Sequence, residues 1–324
     1  MANAIFVREH GTADVLRWEP SEPGAPGAGE AQVEHSAIGL NFIDVYDRSG
    51  LYPHALPLIP GREAAGRITA LGRGVRGLRI GQRVAYVLQT PGAYSQLRNV
   101  PASRLVPLPS AISDEQAAAL MLKGLTAQCL LRKTYRLRAG EWILVHAAAG
   151  GVGLLLCQWA RTLGAKVIGV VGHEDKVALA RRHGCRHVLV AGRDELARSV
   201  RSLTRGAGVQ VVYDSVGHDT FFESLDCLKT RGLMVSFGNS SGPPPLMAAT
   251  ELAKRGSLYL TRPTLFHYID SAAELTAAAR ELFAAVRSGK LKIRIGQRYP
   301  LADAAQAHRD LEARRTVGST VLIP

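Results

Sequence analysis

The stretch from Trp142 to Ala160 constrains the fold of this chain more than any other. It joins an apolar run ending near His146, a set of small residues from Ala147 to Gly153, and a helix-compatible segment. A strand, a glycine turn and a helix in this order form a corner where backbone N–H groups and the helix dipole can hold a pyrophosphate. The stretch therefore predicts a phosphate-binding corner.

The glycine turn fits the dinucleotide fingerprint G-x-G-x-x-G with one substitution. The second and third glycines are Gly150 and Gly153, and Ala148 takes the place of the first. A second apolar run, Lys166–Val171, follows at the distance expected of a βαβ unit, which favours a dinucleotide site. The alternative is a turn of small residues that only packs a helix on a strand.

Composition suggests two domains and leaves the meaning of the charge open. The chain has 324 residues, 47% of them hydrophobic, and a domain takes roughly 150 residues. Its apolar runs are shorter than the roughly 20 residues of a membrane span, and its start lacks a secretory signal; we expect a cytoplasmic protein. The net charge of +13 is spread along the chain. An Arg-rich solvated surface explains it as well as a phosphorylated cofactor does.

The cysteine pattern signals neither a zinc lobe nor a redox pair. The four cysteines are Cys129, Cys157, Cys185 and Cys227, and no two of them form a C-x-x-C pair. Structural zinc sites and dithiol centres both use closely spaced cysteines. Cys157 and Cys227 fall in predicted amphipathic helices, where we expect small buried side chains.

The periodicity changes near Ser113. Earlier residues form short strands separated by glycine-rich turns, as in β-rich, barrel-like domains. Ser113 and Gln116 form a predicted capping box, and strands then alternate with helices. The predicted strands are 142–147, 166–171, 187–190, 209–213, 233–237 and 257–261. This alternation predicts an α/β fold, a Rossmann-type doubly wound parallel sheet, beside a second, β-rich domain.

The last sixty or so residues have a different pattern. A helix is predicted at about 272–288, a basic strand at 290–295, a helix at 302–313 and a strand at 319–323. Because the six-stranded sheet is already complete, we expect this tail to return to the first domain. The predicted domains are therefore 1–122 with 262–324, and 123–261 for the dinucleotide.

The end of the second predicted strand favours NADPH over NADH. NAD-binding units place an acidic residue there to bind the ribose 2′-hydroxyl, but this chain has Gly172. The glycine leaves room for a 2′-phosphate, and Lys176 is placed to bind it. Glu174 and Asp175 oppose this unless they cap the next helix, and Lys176 has the alternative of being a solvated helix lysine.

Three further strand ends have small polar residues of the kind that line a cofactor crevice. They are Asp214–Gly217, Phe237–Gly242 and Thr261–Thr264. Ligands of doubly wound sheets bind beyond the carboxyl ends of the strands. Each segment alone is compatible with an ordinary turn, and the three together favour a crevice.

Several motifs resemble one known family along nearly the whole chain. They are Ile38–Tyr46, Arg48–Pro53, Gly92–Ser95, Lys123–Thr126, His146–Gly153, Tyr213–Gly217 and Val235–Gly242. The chain resembles the zinc-independent NADPH:quinone oxidoreductases of the medium-chain dehydrogenase/reductase superfamily, the zeta-crystallin-like group. The resemblance implies a GroES-like catalytic domain, a Rossmann NADPH-binding domain and hydride transfer from NADPH to a quinone.

The resemblance also bears on metal and substrate. Zinc-dependent members have a Cys and a His where this chain has Asn41 and Arg62, which are not zinc ligands, so no metal is expected. The implied catalytic residues are Asn41, Tyr46 and Tyr52. We expect Asn41 and Tyr52 to hydrogen-bond the acceptor oxygen and Tyr46 to wall the pocket. Asp44 remains open between such a role and capping its helix or pairing with Arg48 at i+4.

The resemblance implies a set of cofactor-binding residues. They are Asn41, Thr126, Gly150, Gly151, Val152, Gly153, Gly172, Lys176, Ser215, Phe237, Gly238, Asn239, Ser240, Arg262, Pro263 and Arg314. Two positions depart from the family, because Cys129 and Ala191 stand where relatives have tyrosines on the adenosine side. We expect these changes to weaken the binding of NADPH or its preference over NADH.

Other functions remain open at this stage. A reductase of α,β-unsaturated carbonyls would use the same fold, cofactor and hydride chemistry. A non-catalytic NADPH-binding or RNA-binding protein is allowed by the net charge, although no basic stripe interleaved with aromatics supports RNA. The family resemblance also implies a homodimer.

Overall fold

The structure, a computed structural model, describes residues 2–324. Its strands are β1 Asn3–Val7, β2 Leu16–Pro20, β3 Glu30–Leu40, β4 Glu63–Leu71, β5 Arg83–Val87, β6 Leu97–Pro101, β7 Val106–Pro107, β8 Trp142–Val145, β9 Lys166–Val171, β10 His187–Val190, β11 Val209–Asp214, β12 Leu228–Ser236, β13 Tyr259–Thr261, β14 Ile295–Pro300 and β15 Ser319–Ile323. Its helices are α1 Phe42–Ser49, α2 Asp114–Ala118, α3 Met121–Cys129, α4 Gly151–Thr162, α5 Val177–Arg182, α6 Leu196–Leu203, α7 Phe221–Asp226, α8 Thr250–Lys254, α9 Ala272–Arg287 and α10 Ala304–Glu312.

The chain divides into two compact units. The second unit comprises Thr126–Tyr268 and Lys290–Lys292, and the first comprises the remaining residues. The limits of the second unit at Thr126 and Tyr268 lie a few residues beyond the boundaries expected at 122 and 261.

The second unit is built on a six-stranded sheet with the order β10-β9-β8-β11-β12-β13, and every neighbouring pair is parallel. The strand order reverses between β8 and β11, where doubly wound sheets bind their ligands. The predicted Rossmann-type sheet is therefore confirmed, and a strand overlaps each of the six predicted positions.

The strands of this sheet are apolar because helices cover both of its faces. Ile143, Leu144 and Val145 of β8 are completely buried, as are Val211 and Val212 of β11. Parallel strands buried on both faces lack the polar alternation of half-exposed strands. The uninterrupted apolar runs in the sequence are a consequence of this arrangement.

The first unit is β-rich, as predicted. A seven-stranded sheet has the order β14-β15-β3-β4-β5-β7, and β6 also pairs with β3. Strand β3 is central because it pairs with β15, β4 and β6. A separate antiparallel hairpin joins β1 and β2. Tyr86, Tyr94 and Ile38 are among the largest side chains buried in this unit.

The basic strand expected at 290–295 was placed wrongly, since β14 covers Ile295–Pro300. The backbone of Lys292 is already bonded to a side chain. Its N–H donates to Gln158 Oε1 at 2.9 Å, and its carbonyl accepts from Gln158 Nε2 at 3.1 Å. These bonds take the place of a strand ladder, and pairing with β15 begins only at Ile295.

Gly92–Ser95, one of the motifs on which the family resemblance rests, lies outside the regular strands. Gly92 has a positive φ of 136°, and its N–H bonds the carbonyl of Gly61 at 2.9 Å. The segment is therefore an irregular loop attached to the loop before β4, and Ser95 forms an isolated β-bridge with Ala4. The regular strand nearby, β6, begins only at Leu97.

Local sequence features fix the ends of several elements. Helix α1 ends at Gly50, which has a positive φ of 82°. Ser113 and Gln116 bond reciprocally as a capping box. Cys157 lies in α4 and Cys227 directly follows α7, and both are buried as predicted.

Candidate active site

The glycine turn between β8 and α4 is too tight for larger residues. A Cβ on Gly153 would lie 2.2 Å from the carbonyl oxygen of Ala147, so glycine is required there. Ala148, in the first position of the fingerprint, is completely buried. A Cβ on Gly169 of β9 would lie 2.8 Å from the methyl group of Ala148. The glycine in β9 therefore provides the space that Ala148 occupies.

Helix α4 begins directly after this turn, with Gly150 as its N-cap, and runs for 12 residues. The first N–H groups of any helix lack a carbonyl partner within that helix. In α4 they belong to Gly151, Val152 and Gly153, beside the point where the strand order reverses. This arrangement suits an anionic group, as predicted for a pyrophosphate.

Asp214, the last residue of β11, is completely buried and organises the loop that follows. Its Oδ1 accepts from the N–H groups of Val216 at 2.7 Å and Gly217 at 3.2 Å. Its Oδ2 accepts from the hydroxyls of Thr220 at 2.7 Å and Ser224 at 3.0 Å. One carboxylate thus fixes the loop and the start of α7.

This network reaches back to the end of β8. The Ser224 hydroxyl lies 2.9 Å from His146 Nε2, and because that hydroxyl donates to Asp214, the imidazole N–H is the donor to Ser224. The backbone N–H of His146 donates to the carbonyl of Tyr213 at 3.0 Å. Burial lowers the pKa of His146, which keeps its ring neutral. The loops after β8 and β11 are thereby joined by buried hydrogen bonds.

The loops after β11 and β12 approach each other through glycines. A Cβ on Gly238 would lie 2.4 Å from the carbonyl oxygen of Ser215, and a Cβ on Gly217 would lie 2.4 Å from that of Gly242. The N–H of Ser240 bonds the Ser215 carbonyl at 3.3 Å. The loops after β11 and β12, which contain predicted site residues, are thus held together by close backbone contacts.

Ser236, the last residue of β12, has two polar features beside these loops. Arg262 Nη1 donates to the carbonyl of Ser236 at 2.8 Å. The Ser236 hydroxyl is buried and has no hydrogen-bond partner among residues 2–324. Buried polar groups are nearly always satisfied, so an unpartnered hydroxyl at a strand end is consistent with a ligand site.

The end of β9 is open, in contrast to the crowded turns beside it. A Cβ on Gly172 would meet no atom within 4 Å. The next residues form a short turn, Glu174–Lys176, that leads into α5. The carboxylate of Glu174 forms an ion pair with Arg193, which follows β10. The space expected for a 2′-phosphate is present, and Glu174 is paired with a cation that the sequence did not indicate.

In the first unit, Asn41 caps α1 and is held by a buried carboxylate. Asn41 Nδ2 donates to Glu63 Oε1 at 2.8 Å and to the carbonyl of Gly39 at 3.3 Å. Glu63 also accepts from Lys123 Nζ at 3.0 Å and from the N–H of Leu122 at 2.5 Å. Both hydrogens of the Asn41 amide are therefore used. Asn41 can offer a ligand only its Oδ1, an acceptor, whereas we expected it to donate to the acceptor oxygen.

Asp44 serves as a cap in the middle of a buried network. Its Oδ2 accepts from the N–H of Asn41 at 2.8 Å and from the hydroxyl of Tyr94 at 3.0 Å. Burial, reinforced by the nearby Asp47, raises the pKa of Asp44 to about 7. Asp44 therefore caps its own helix, which is one of the alternatives that the sequence left open for it.

The expected partner of Asp44, Arg48, is reached only through other groups. Arg48 pairs with Glu312 at 2.8 Å, and its Nη1 lies 3.3 Å from His308 Nδ1. Since a guanidinium only donates, the neutral His308 carries its hydrogen on Nε2 and donates to the Tyr94 hydroxyl at 3.0 Å. Tyr94 in turn donates to Asp44. A directed chain of hydrogen bonds, rather than an i+4 ion pair, connects these residues.

Tyr46 and Tyr52 lie side by side. Their ring centroids are 5.3 Å apart in an edge-to-face arrangement, and the N–H of Tyr52 bonds the carbonyl of Tyr46 at 3.1 Å. Tyr46 is buried on α1 and Tyr52 is half-buried. The structure therefore brings together the two expected substrate-side tyrosines.

Arg62, at the position of a zinc ligand in the zinc-dependent relatives, is committed to an ion pair. Its Nη2 and Nε donate to Asp47 at 2.7 and 3.0 Å, and His54 Nε2 lies 2.9 Å from the same carboxylate. In the described part of the chain no group of three or more His, Cys, Asp or Glu side chains is arranged to hold a metal ion.

Sequence reasoning missed three residues of this site. Asp214 lay within a quoted motif but was given no role, and Glu63 and Arg193 were not considered. The N–H groups of Val216 and Gly217 after a strand-end aspartate are a recognisable signal for Asp214. The other two act through partners distant in sequence, so no local pattern indicates them.

Comparison with known proteins agrees with this geometry. A family model described as zinc-binding dehydrogenase matches residues 151–279, and one described as alcohol dehydrogenase GroES-like domain matches residues 27–110. The quinone oxidoreductase of Pseudomonas aeruginosa is 51% identical over 100% of both chains. The crystal structure of Escherichia coli quinone oxidoreductase complexed with NADPH has a TM-score of 0.98 at 50% identity, covering 99% of this chain and 100% of that one. The 2-haloacrylate reductase of a Burkholderia species is 42% identical over 100% of this chain and 99% of its own.

A GroES-like unit together with a doubly wound dinucleotide-binding sheet defines a medium-chain dehydrogenase/reductase. Within this superfamily, the chain belongs to the quinone oxidoreductase family. No helix within residues 2–324 has the length and apolar character needed to cross a membrane.

Proposed function

We propose that this protein is an NADPH-dependent quinone oxidoreductase. The proposal rests on the match along nearly the whole chain, at 50% identity, to a quinone oxidoreductase solved with NADPH, together with the glycines at the strand ends of the parallel sheet. When bound, NADPH supplies a hydride to the acceptor. The protein residues position the two reactants and exclude water.

The residues of the second unit fit such a cofactor. The crowded glycines, Gly153, Gly217 and Gly238, let the backbone line the site, and the open space at Gly172 leaves room for a phosphate. We propose that the N–H groups at the start of α4 bind the pyrophosphate and that Lys176 binds the adenosine 2′-phosphate. The expected residues that remain on the cofactor side are Thr126, Ser215, Phe237, Asn239, Ser240, Arg262, Pro263 and Arg314.

We propose that the substrate side is formed by Asn41, Tyr46 and Tyr52. Tyr52 is the expected hydrogen-bond donor to the oxygen on which charge develops. Asn41 acts through Oδ1 and accepts a hydrogen from the ligand. Changing Tyr52 to Phe should lower kcat for a naphthoquinone by about tenfold and leave the Kd of NADPH unchanged. Unchanged kcat in this variant would contradict the assignment, and Tyr135→Phe, whose hydroxyl bonds Glu141, serves as the matched control.

We also propose that hydride transfer proceeds without a metal, because of the side chains at positions 41 and 62. Asn41 presents its NH2 group to Glu63, and Arg62 presents a guanidinium to Asp47. Neither group is a zinc ligand. An acceptor that is reduced without a Lewis acid must delocalise the arriving negative charge itself, which a quinone does.

The relative named 2-haloacrylate reductase gives a specific reason to consider a second substrate class. An activated alkene conjugated to a carbonyl group or carboxylate would accept hydride in the same geometry. A screen of NADPH and NADH against naphthoquinone, benzoquinone, 2-alkenals and 2-haloacrylate separates the two functions. We expect the highest kcat/KM with NADPH and a quinone; a preference for the alkenes would favour the second class.

We further propose a cytoplasmic homodimer. Strand β13 is the edge of the parallel sheet, and its residues Tyr259 and Leu260 are 61% and 40% exposed. Exposed apolar edge strands are natural pairing surfaces. Analytical ultracentrifugation should show a dimer that a charged substitution, Leu260→Lys, dissociates; a monomeric wild type would contradict the proposal. Cell fractionation tests the compartment.

A further inference from the structure

The ion pair between Arg193 and Glu174 joins the two loops at the adenosine end of the predicted cofactor site. Strands β9 and β10 pair in parallel with Val171 opposite Val190, so the loops after them lie side by side. Glu174 belongs to the loop after β9, beside the open position of Gly172, and Arg193 belongs to the loop after β10. Both side chains are more than half exposed, so a ligand can reach them.

Arg193 is oriented by a second carboxylate. Its Nε donates to Asp194 Oδ1 at 3.2 Å, and its Nη2 donates to Asp194 Oδ2 at 3.3 Å. Asp194 is itself anchored, because its Oδ2 accepts from the N–H of Val190 at 2.7 Å. The guanidinium has five hydrogens, and these contacts leave some of them for another acceptor. Arg193 is therefore a cation held by two carboxylates, one of which, Glu174, lies two residues after Gly172.

The charges in this turn show what Arg193 contributes. The turn after β9 contains two carboxylates, Glu174 and Asp175, and one ammonium group, Lys176. Alone, these groups would repel a 2′-phosphate, and a carboxylate near a ribose suits the 2′-hydroxyl of NADH instead. Arg193 neutralises Glu174 and directs its carboxylate toward the β10 loop.

We propose that Arg193, through its pair with Glu174, is a determinant of the preference for NADPH over NADH in this protein. The guanidinium contacts the 2′-phosphate and prevents Glu174 from approaching the ribose. This role would compensate for Ala191, two residues earlier, where relatives have a tyrosine. The inference rests on the proposed function, because it assumes that the nicotinamide cofactor occupies this site.

The test is a titration of purified protein with NADPH and with NADH, following ligand fluorescence to obtain Kd without turnover. In Arg193→Ala we expect the Kd of NADPH to rise by about tenfold. The Kd of NADH should stay the same or fall, because the released Glu174 carboxylate can then accept from the ribose 2′-hydroxyl. In Glu174→Gln, which frees Arg193, the Kd of NADPH should fall. The matched control is Arg198→Ala, which removes an arginine paired with Glu195 on the neighbouring helix.

Equal changes for both cofactors, or no change for NADPH, would overturn the role of Arg193. Raising the salt concentration should narrow the difference between wild type and Arg193→Ala for NADPH, because a charge contact at an exposed site is screened. Failure of the proposed function is distinguishable, since it would show as a wild type that does not oxidise NADPH with a quinone, whatever its Kd values. A wild type that binds NADPH while Arg193→Ala binds it equally well overturns only the present inference.

Discussion

Asn41 donates its side-chain NH2 to Glu63 Oε1 at 2.8 Å, and both side chains are buried. A carboxylate only accepts hydrogen bonds, so this contact fixes which end of the Asn41 amide faces a ligand. Glu63 in turn is paired with Lys123. The orientation of a predicted catalytic residue is therefore set by an ion pair that sequence reasoning did not consider.

Changing Glu63 to Gln should release Asn41 and leave Lys123 as an unpaired buried charge. Breaking a buried pair typically costs about 3–5 kcal/mol, so the free energy of unfolding in urea should fall by about that amount. Replacing both partners, as in Glu63→Gln with Lys123→Met, should recover most of the stability, because no charge is left buried. If Asn41 needs this orientation, kcat stays low in the double variant although the fold is restored. Full recovery of kcat would contradict the positioning role.

Asp214 should matter for both stability and cofactor binding. Asparagine in its place presents an NH2 group to donors that now bond a carboxylate, leaving at least one buried group unsatisfied at a cost of about 1–3 kcal/mol. We expect Asp214→Asn to lower the free energy of unfolding by this amount and to weaken NADPH binding, because the loops after β8 and β11 lose their connection. Asp226→Asn, at a half-exposed position, is the matched control. Unchanged Kd values for both variants would show that the loops hold their shape without Asp214.

Stability should decrease on acidification below about pH 6.5. Burial lowers the pKa of His35 to about 4 and that of His308 to about 3, so between these values and the ordinary one the unfolded chain binds two protons that the native protein does not. Asp44 opposes this, since its raised pKa of about 7 keeps one proton on the native protein. These three groups give a net of one proton, which corresponds to about 1.4 kcal/mol per pH unit, and the lowered pKa of the buried His146 acts in the same direction as those of the other two histidines.

Urea unfolding at several pH values between 5 and 6.5 measures this slope. In Asp44→Asn the opposing proton is removed, so the slope should become steeper by about 1.4 kcal/mol per pH unit. A slope that is flat in wild type, or unchanged in the variant, would contradict these protonation states.

Much of the fold was predictable from the sequence because its determinants are local. The six strands of the parallel sheet followed from apolar runs, and the start of α2 followed from the capping box of Ser113 and Gln116. The position of β14 was not predictable, because it depends on Gln158, whose side chain forms hydrogen bonds with the backbone N–H and carbonyl of Lys292. The side-chain networks of the site were not predictable for the same reason, since Glu63 and Arg193 contact partners that only the fold brings near.

Ala148, the alanine at the first glycine position of the fingerprint, should be accommodated only because residue 169 is glycine. Gly169→Ala would place a methyl 2.8 Å from that of Ala148 and 2.6 Å from Cys185 Sγ, and overpacking of this kind costs about 1–3 kcal/mol. Adding Ala148→Gly should relieve part of the loss, so the two changes should be non-additive by more than about 0.5 kcal/mol. Simple additivity in thermal or urea unfolding would show that the two positions do not share this space.

We expect this protein to transfer hydride from NADPH to a quinone without a metal. The decisive measurement is the steady-state rate of NADPH oxidation with a naphthoquinone, on purified protein before and after dialysis against a zinc chelator. We predict turnover that chelation leaves unchanged and that zinc does not increase. Absence of turnover with any quinone, or turnover that is lost on chelation and restored by zinc, would rule out metal-free quinone reduction by this protein.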